Sequence, residues 1–201
     1  APLDIRWMKG GWSAHFEFQK DGLRVRTDFV TRPPRTTPET LQKLWLSQEK
    51  VEIPCVGIRD LIEMKKTDRD KDYAVIGELA RRLETLDDRL LCSRSARDIM
   101  DMVEKHPVQT RELSGLRKVL VVALETRDLS ALEAAIDAER RDLMHQNERR
   151  LAAYVDASAR WADAWSGLKN RLDSLDLPAA HKLVVEEAAK LLPVNVTGEQ
   201  E

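Results

Sequence analysis

IPCVGIRDLIEMKKTDRDKDYAVIGELARR, residues 53–82, holds a short extended run, a break at Gly57, a short helix, a charged connector and a second helix. Ile58, Leu61, Ile62 and Met64 recur at helical spacing. Asp70 stands at the head of the second helix, where Ile76, Leu79, Ala80 and Leu83 form one apolar stripe. Between the helices lies a charged knot of Lys65, Lys66, Arg69, Lys71 and Asp72. It has two uses. Lys65, Arg69 and Lys71 suit phosphate groups, whose developing negative charge they would offset. Alternatively, Lys71 and Asp72 pin the helix start to a sheet, with Asp72 placed in a first turn where the helix dipole favours a carboxylate.

Upstream of the knot the chain alternates with period two. LDIRW (3–7), SAHFEFQ (13–19) and LRVRTDF (23–29) read as short antiparallel strands, and Lys20-Asp21-Gly22 as the turn between the last two. Leu23, Val25, Thr27 and Phe29 share one face of that last strand; Arg24, Arg26 and Asp28 share the other. Pro33-Pro34 ends it, because proline donates nothing to a ladder. Thr37 caps a helix from Pro38 to about Ser47. Residues 50–56 return as an edge strand containing Pro54.

Downstream the period is 3.6. Helices are expected over 95–105, around Leu116–Leu124, over 129–159 as one piece or two, around Trp161–Leu172 and over 180–192, with a polar, frayed tail from Pro193. The expected division is 1–107 and 108–201.

Of the 201 residues, 42% are hydrophobic and 34% charged, a globular composition, and the net charge of −2 gives no global field for nucleic acid or anionic membrane. Residues 20–35 form a local basic patch of Lys20, Arg24, Arg26, Arg32 and Arg35 against Asp21 and Asp28. Cys55 and Cys92 have no metal spacing and read as buried free thiols of a reducing, cytoplasmic compartment. No apolar run is long enough to span a membrane.

The segment 51–82 resembles the C-terminal signature of the minimal nucleotidyltransferases, the abortive-infection toxin-type members of the polymerase-beta-like superfamily. Asp60-Leu61-Ile62-Glu63-Met64-Lys65 matches their D-L-I-x-x-K helix, and Arg69-Asp70-Lys71-Asp72 their charged connector. Arg26-Thr27-Asp28-Phe29-Val30-Thr31 matches their strand carrying the third metal-binding acid. The resemblance covers about residues 1–85. It implies a partial nucleotidyltransferase-like sheet with helices, an α+β fold, followed by an all-α domain. It also implies Mg²⁺-dependent transfer of a nucleotidyl group from an NTP to a protein, RNA or small-molecule acceptor. Asp28 would be the catalytic metal ligand, and Lys65, Arg69 and Lys71 would lie near phosphate.

The family's glycine-serine turn and D-x-[DE] pair have no counterpart here; Gly10-Gly11-Trp12-Ser13 is followed by no such pair. A lone carboxylate holds Mg²⁺ poorly. Either the chain begins midway through a catalytic domain or it is a degenerate relative, and these 201 residues are expected to be inactive alone. The reading of Asp28 from its own residues is an exposed ion pair with Arg24 or Arg26.

The rival function is a non-catalytic interaction module, a pseudo-enzyme of a toxin–antitoxin-type system that binds an antitoxin, a toxin or a second subunit. Arg140 and His145 have the R-x4-H spacing that resembles the catalytic motif of HEPN ribonucleases, though Arg141 stands where asparagine is preferred. A solvated helix face of local ion pairs explains the same residues. Trp161 and Trp165, four apart, suit a helix–helix contact more than a base-stacking platform.

Overall fold

The computed structural model describes residues 1–31, 33 and 35–196, without the side chains of Phe18 and Lys20. It is an α+β chain with a small sheet and a long helical C-terminal region. Two compact units divide it: Ala1–Pro33 with Arg149–Glu201, and Pro34–Glu148. The boundary expected at 107–108 falls inside the second of these.

The first unit opens with α1 (Ile5–Lys9), followed by the hairpin β1 (Ser13–Lys20) and β2 (Leu23–Val30). No strand forms over LDIRW: Ile5–Trp7 open α1, and Asp4 is its extended N-cap. Five residues are too few to separate period two from 3.6. What decides is Asp4, whose side chain accepts the Arg6 N–H as an N-cap, and the burial of Trp7 and Met8. The hairpin loop forms as expected, with Asp21 and Gly22 at φ 52° and 76° and Lys20 opposite Leu23.

The hairpin register puts Ala14 opposite Phe29 and Phe16 opposite Thr27, and the Phe16 and Phe29 rings meet edge to face at 5.7 Å. Among the described residues these two strands are the whole sheet. β2 is exposed almost throughout, so it lacks the buried inner face that a fuller meander would provide. Pro34 and Arg32 lie outside the described residues.

The core of this unit is built from tryptophans. Trp7 and Trp12 pack with Ala188, Leu192 and Val196, and Tyr154 and Trp161 lean on them. Each indole N–H finds a backbone carbonyl: Trp7 Nε1 donates to Leu192 at 3.2 Å and Trp12 Nε1 to Pro193 at 3.0 Å. A Cβ on Gly10 would stand 1.8 Å from the Val194 carbonyl oxygen, so only glycine fits there. Residues 193–196, expected to fray, are thus tied down and Val196 is buried; the remaining tail lies outside the described residues.

The second unit holds α2 (Pro38–Gln48), α3 (Ile58–Lys65), α4 (Asp70–Ala80), α5 (Leu86–Cys92), α6 (Ala96–Lys105), α7 (Pro107–Leu113), α8 (Lys118–Thr126) and the start of α9 (Leu129–Leu172). Thr37 caps α2 through the Thr40 N–H, as expected. The strand expected over 50–56 does not form; the segment is irregular and exposed. Pro54 lacks an N–H, and the Cys55 N–H is taken by the Gln48 side chain at 2.9 Å. Cys55 is accordingly exposed, whereas Cys92 is buried.

Sequence periodicity missed α5 and α7, seven residues each. Conversely, 129–172 is a single helix, in which no proline interrupts the pattern. Beyond it, α10 (Leu177–Leu191) starts on the Asp176 cap with Pro178 in its first turn. Among the described residues no helix is long and apolar enough to cross a membrane.

Two apolar clusters fill the second unit. Leu90, Ile99, Val103, Leu120 and Leu132 centre one; Ile62, Tyr73, Ile76, Ala80 and Cys92 make the other. Beside them lies a partly buried ion triad. Arg117, with 4% of its side chain exposed, donates from Nε and an Nη to both oxygens of Glu139 at 3.0 and 2.9 Å. Its remaining N–H groups reach the carbonyls of Leu90 and Ser93 at 2.7 and 2.8 Å. Arg94 donates to the same carboxylate at 2.6 Å.

Burial pushes the Glu139 carboxyl upward, but the hydrogen bonds and charge of Arg117 and the charge of Arg94 outweigh it and hold the group below the usual range. A depressed carboxyl stabilises the fold fully above its unfolded value, about 4.3, and loses that contribution as pH falls through the folded value. Glu139→Gln should therefore cost about 3 kcal/mol in urea unfolding at pH 7. The gap between parent and variant should close as the pH is lowered below 4.

Candidate functional site

Asp28 sits on β2 with its carboxylate in solvent, 51% exposed. His15, directly across the hairpin, places Nδ1 2.5 Å from Oδ1, and Arg26 Nε is 3.1 Å from the same oxygen. The hydrogen bond from His15, then that from Arg26, keeps the carboxyl below its ordinary range. Arg24 pairs instead with Glu17 at 2.6 Å. The outer face of the hairpin is thus an exposed set of local ion pairs. His15 is a partner that the sequence reading gave no role. A two-residue loop at 21–22 places residues 15 and 28 opposite each other, so the signal for the pair was the loop itself.

The charged knot lies in the other unit and is organised around Asp72, which is buried at the head of α4. Thr67 Oγ1 donates to it at 2.6 Å, Arg69 reaches it at 2.7 and 2.9 Å, and Lys65 Nζ stands 3.7 Å away. Tyr73 Oη donates to the Thr67 carbonyl at 2.9 Å and closes the loop onto the helix. Burial raises the Asp72 carboxyl, but the Thr67 hydrogen bond and the charges of Arg69 and Lys65 bring it net below the usual range.

Lys66 takes a separate role. Its Nζ is 2.7 Å from both Glu63 oxygens, and Glu63 also pairs with Arg59. Asn147 on α9 then holds the Lys66 carbonyl at 2.7 Å. Lys71 is exposed.

The structure brings Lys65 and Arg69 together on Asp72 in one unit; in the other, Asp28 is met by His15 and Arg26. No group of three or more His, Cys, Asp or Glu suited to a metal ion occurs among the described residues. The buried Asp72 carboxylate closes the 65–72 connector over the first turn of α4.

Arg140 and His145 sit on α9 with different surroundings. Arg140 pairs with Asp70 and Asp137, both at 2.6 Å, while His145 is exposed. Trp161 is partly buried in the tryptophan core and Trp165 is exposed beside it, the rings 5.5 Å apart.

If Asp72 organises the connector, Asp72→Asn should lower unfolding stability by about 1–3 kcal/mol. Lys71→Gln should leave it within about 0.5 kcal/mol. Urea titrations of the two variants separate these outcomes.

No protein-family model matches the chain, and no curated protein or solved structure is significantly similar to it.

Proposed function

We propose that the chain is a non-catalytic interaction module that binds a second copy of itself through residues 45–58. The observation that carries this reading is a run of apolar side chains left in solvent. Trp45 and Ile53 are each 74% exposed, and Leu46, Val51, Val56 and Ile58 are exposed with them. α2 buries none of its residues. A run of exposed apolar side chains that includes a tryptophan is typical of a protein-binding surface.

Its charges support a like partner. Glu49, Lys50 and Glu52 make no ion pair among the described residues. Lys50 and Glu52 flank Val51, so a two-fold axis near Val51 lets each lysine meet the glutamate of the other copy twice over, as a self-complementary interface requires. Sedimentation equilibrium tests this. The parent should dimerise with rising concentration; Lys50→Glu and Glu52→Lys should each weaken the dimer; mixing the two variants should restore it. A parent that stays monomeric at every concentration contradicts the proposal.

A second reading, Mg²⁺-dependent nucleotidyl transfer, draws support from the exposed, ionised Asp28 carboxylate and from exposed Lys71. In it Asp28 would supply one metal ligand, and, within the other unit, Lys65, Arg69 and Lys71 would suit phosphate groups. Asp28→Ala should then abolish Mg²⁺-dependent label transfer from NTP in an active assembly while leaving the melting curve unchanged. Retained transfer removes Asp28 from that role.

A further inference from the structure

We propose that a cleft in the second unit binds a small molecule carrying an oxyanion, a phosphate or a carboxylate. The cleft has a volume of about 620 Å³, within the range of small-molecule sites. Tyr73, Ala74 and Gly77 of α4 form one wall, Ala96 at the start of α6 the second, and Ile136 of α9 the third. Tyr73 is flat and Ala74, Gly77 and Ala96 are small, and Ile136 adds an apolar wall for an organic body. Around them stand four guanidinium groups, Arg81, Arg94, Arg97 and Arg140.

The donors of these arginines exceed the acceptors they meet. Each guanidinium has five N–H donors and no acceptor. Arg97 makes no hydrogen bond or ion pair among the described residues. Arg94 spends one donor, on Glu139, and its side chain is nine-tenths buried. Arg140 spends one Nη on Asp70 and the other on Asp137, while its Nε is out of water with no hydrogen-bond partner. The donors that an acceptor-only ligand in the cleft would meet are those of exposed Arg97 and the N–H groups that Arg94 leaves unspent.

Three carboxylates also face the cleft. Glu78 is paired with Arg81 at 2.7 Å, and Asp137 with Arg140 and Arg141. Glu133 is exposed. The first turn of the ten-residue α6 adds the positive end of a helix dipole to the same wall. The Tyr73 hydroxyl is already given to Thr67, so the ring offers only its face, with the Arg94 guanidinium 5.2 Å from the ring centre.

This inference does not depend on self-association or on nucleotidyl transfer. Isothermal titration of the full chain with inorganic phosphate and, separately, with succinate, at constant ionic strength, tests it. Saturable binding of at least one anion is expected, and which one saturates identifies the head group. Arg97→Gln and Arg140→Gln should each weaken that binding about tenfold, the loss of one charge-assisted contact, whereas Lys43→Gln should not. Arg97 has no partner to lose, so Arg97→Gln should melt like the parent and remain decisive even if Arg140→Gln unfolds. No saturation with either anion, or weakening by Lys43→Gln as large as that by Arg97→Gln, overturns the proposal.

Discussion

Arg117 is the side chain on which the second unit depends. It is charged and almost wholly out of water, and that position is tolerable only because its guanidinium is satisfied in several directions at once. Glu139 of α9 takes two of its N–H groups, and the carbonyls of Leu90 and Ser93 at the end of α5 take two more. Arg94, just before α6, adds a second cation to the same carboxylate. One glutamate thereby joins α5, the start of α6, the start of α8 and α9. The apolar cluster around Leu120 and Ile99 fills the space beside this anchor. A hydrophobic cluster alone would let those helices slide; directed bonds to backbone carbonyls set their register.

The same economy governs the connector. Asp72 is buried where a carboxylate suits the helix dipole, and Thr67, Lys65 and Arg69 turn toward it. Asp28, by contrast, is solvated and met by His15 and Arg26. Apolar side chains along 45–58 and the Arg97 guanidinium face solvent.

Local grammar was readable where it was self-sufficient. The Asp21-Gly22 loop sets the hairpin and its register, and with it the pairing of residue 15 with 28. Thr37 and Ser95 mark helix starts by accepting the N–H groups that helices leave open. What depended on partners far along the chain was not readable. The Asp4 cap of α1 lies within LDIRW, but the burial of Trp7, whose indole bonds the carbonyl of Leu192, is not revealed by those five residues. The 50–56 run has strand-like composition but no neighbouring strand. Arg94 and Arg97 looked like ordinary surface charge; only the approach of α9 to α4 and α6 turns them, with Arg140, into the lining of one cleft. Asp72 was legible as a first-turn acid, whereas its burial followed from the loop folding back through Tyr73.

Self-association, if it covers residues 45–58, accounts for apolar side chains that the single chain leaves in solvent. Amide hydrogen exchange of this segment, measured across protein concentration, tests that most directly. The account predicts that exchange at 45–58 slows as concentration rises while exchange in the Trp7–Leu192 core does not change. Fast exchange in the segment at every concentration would contradict it.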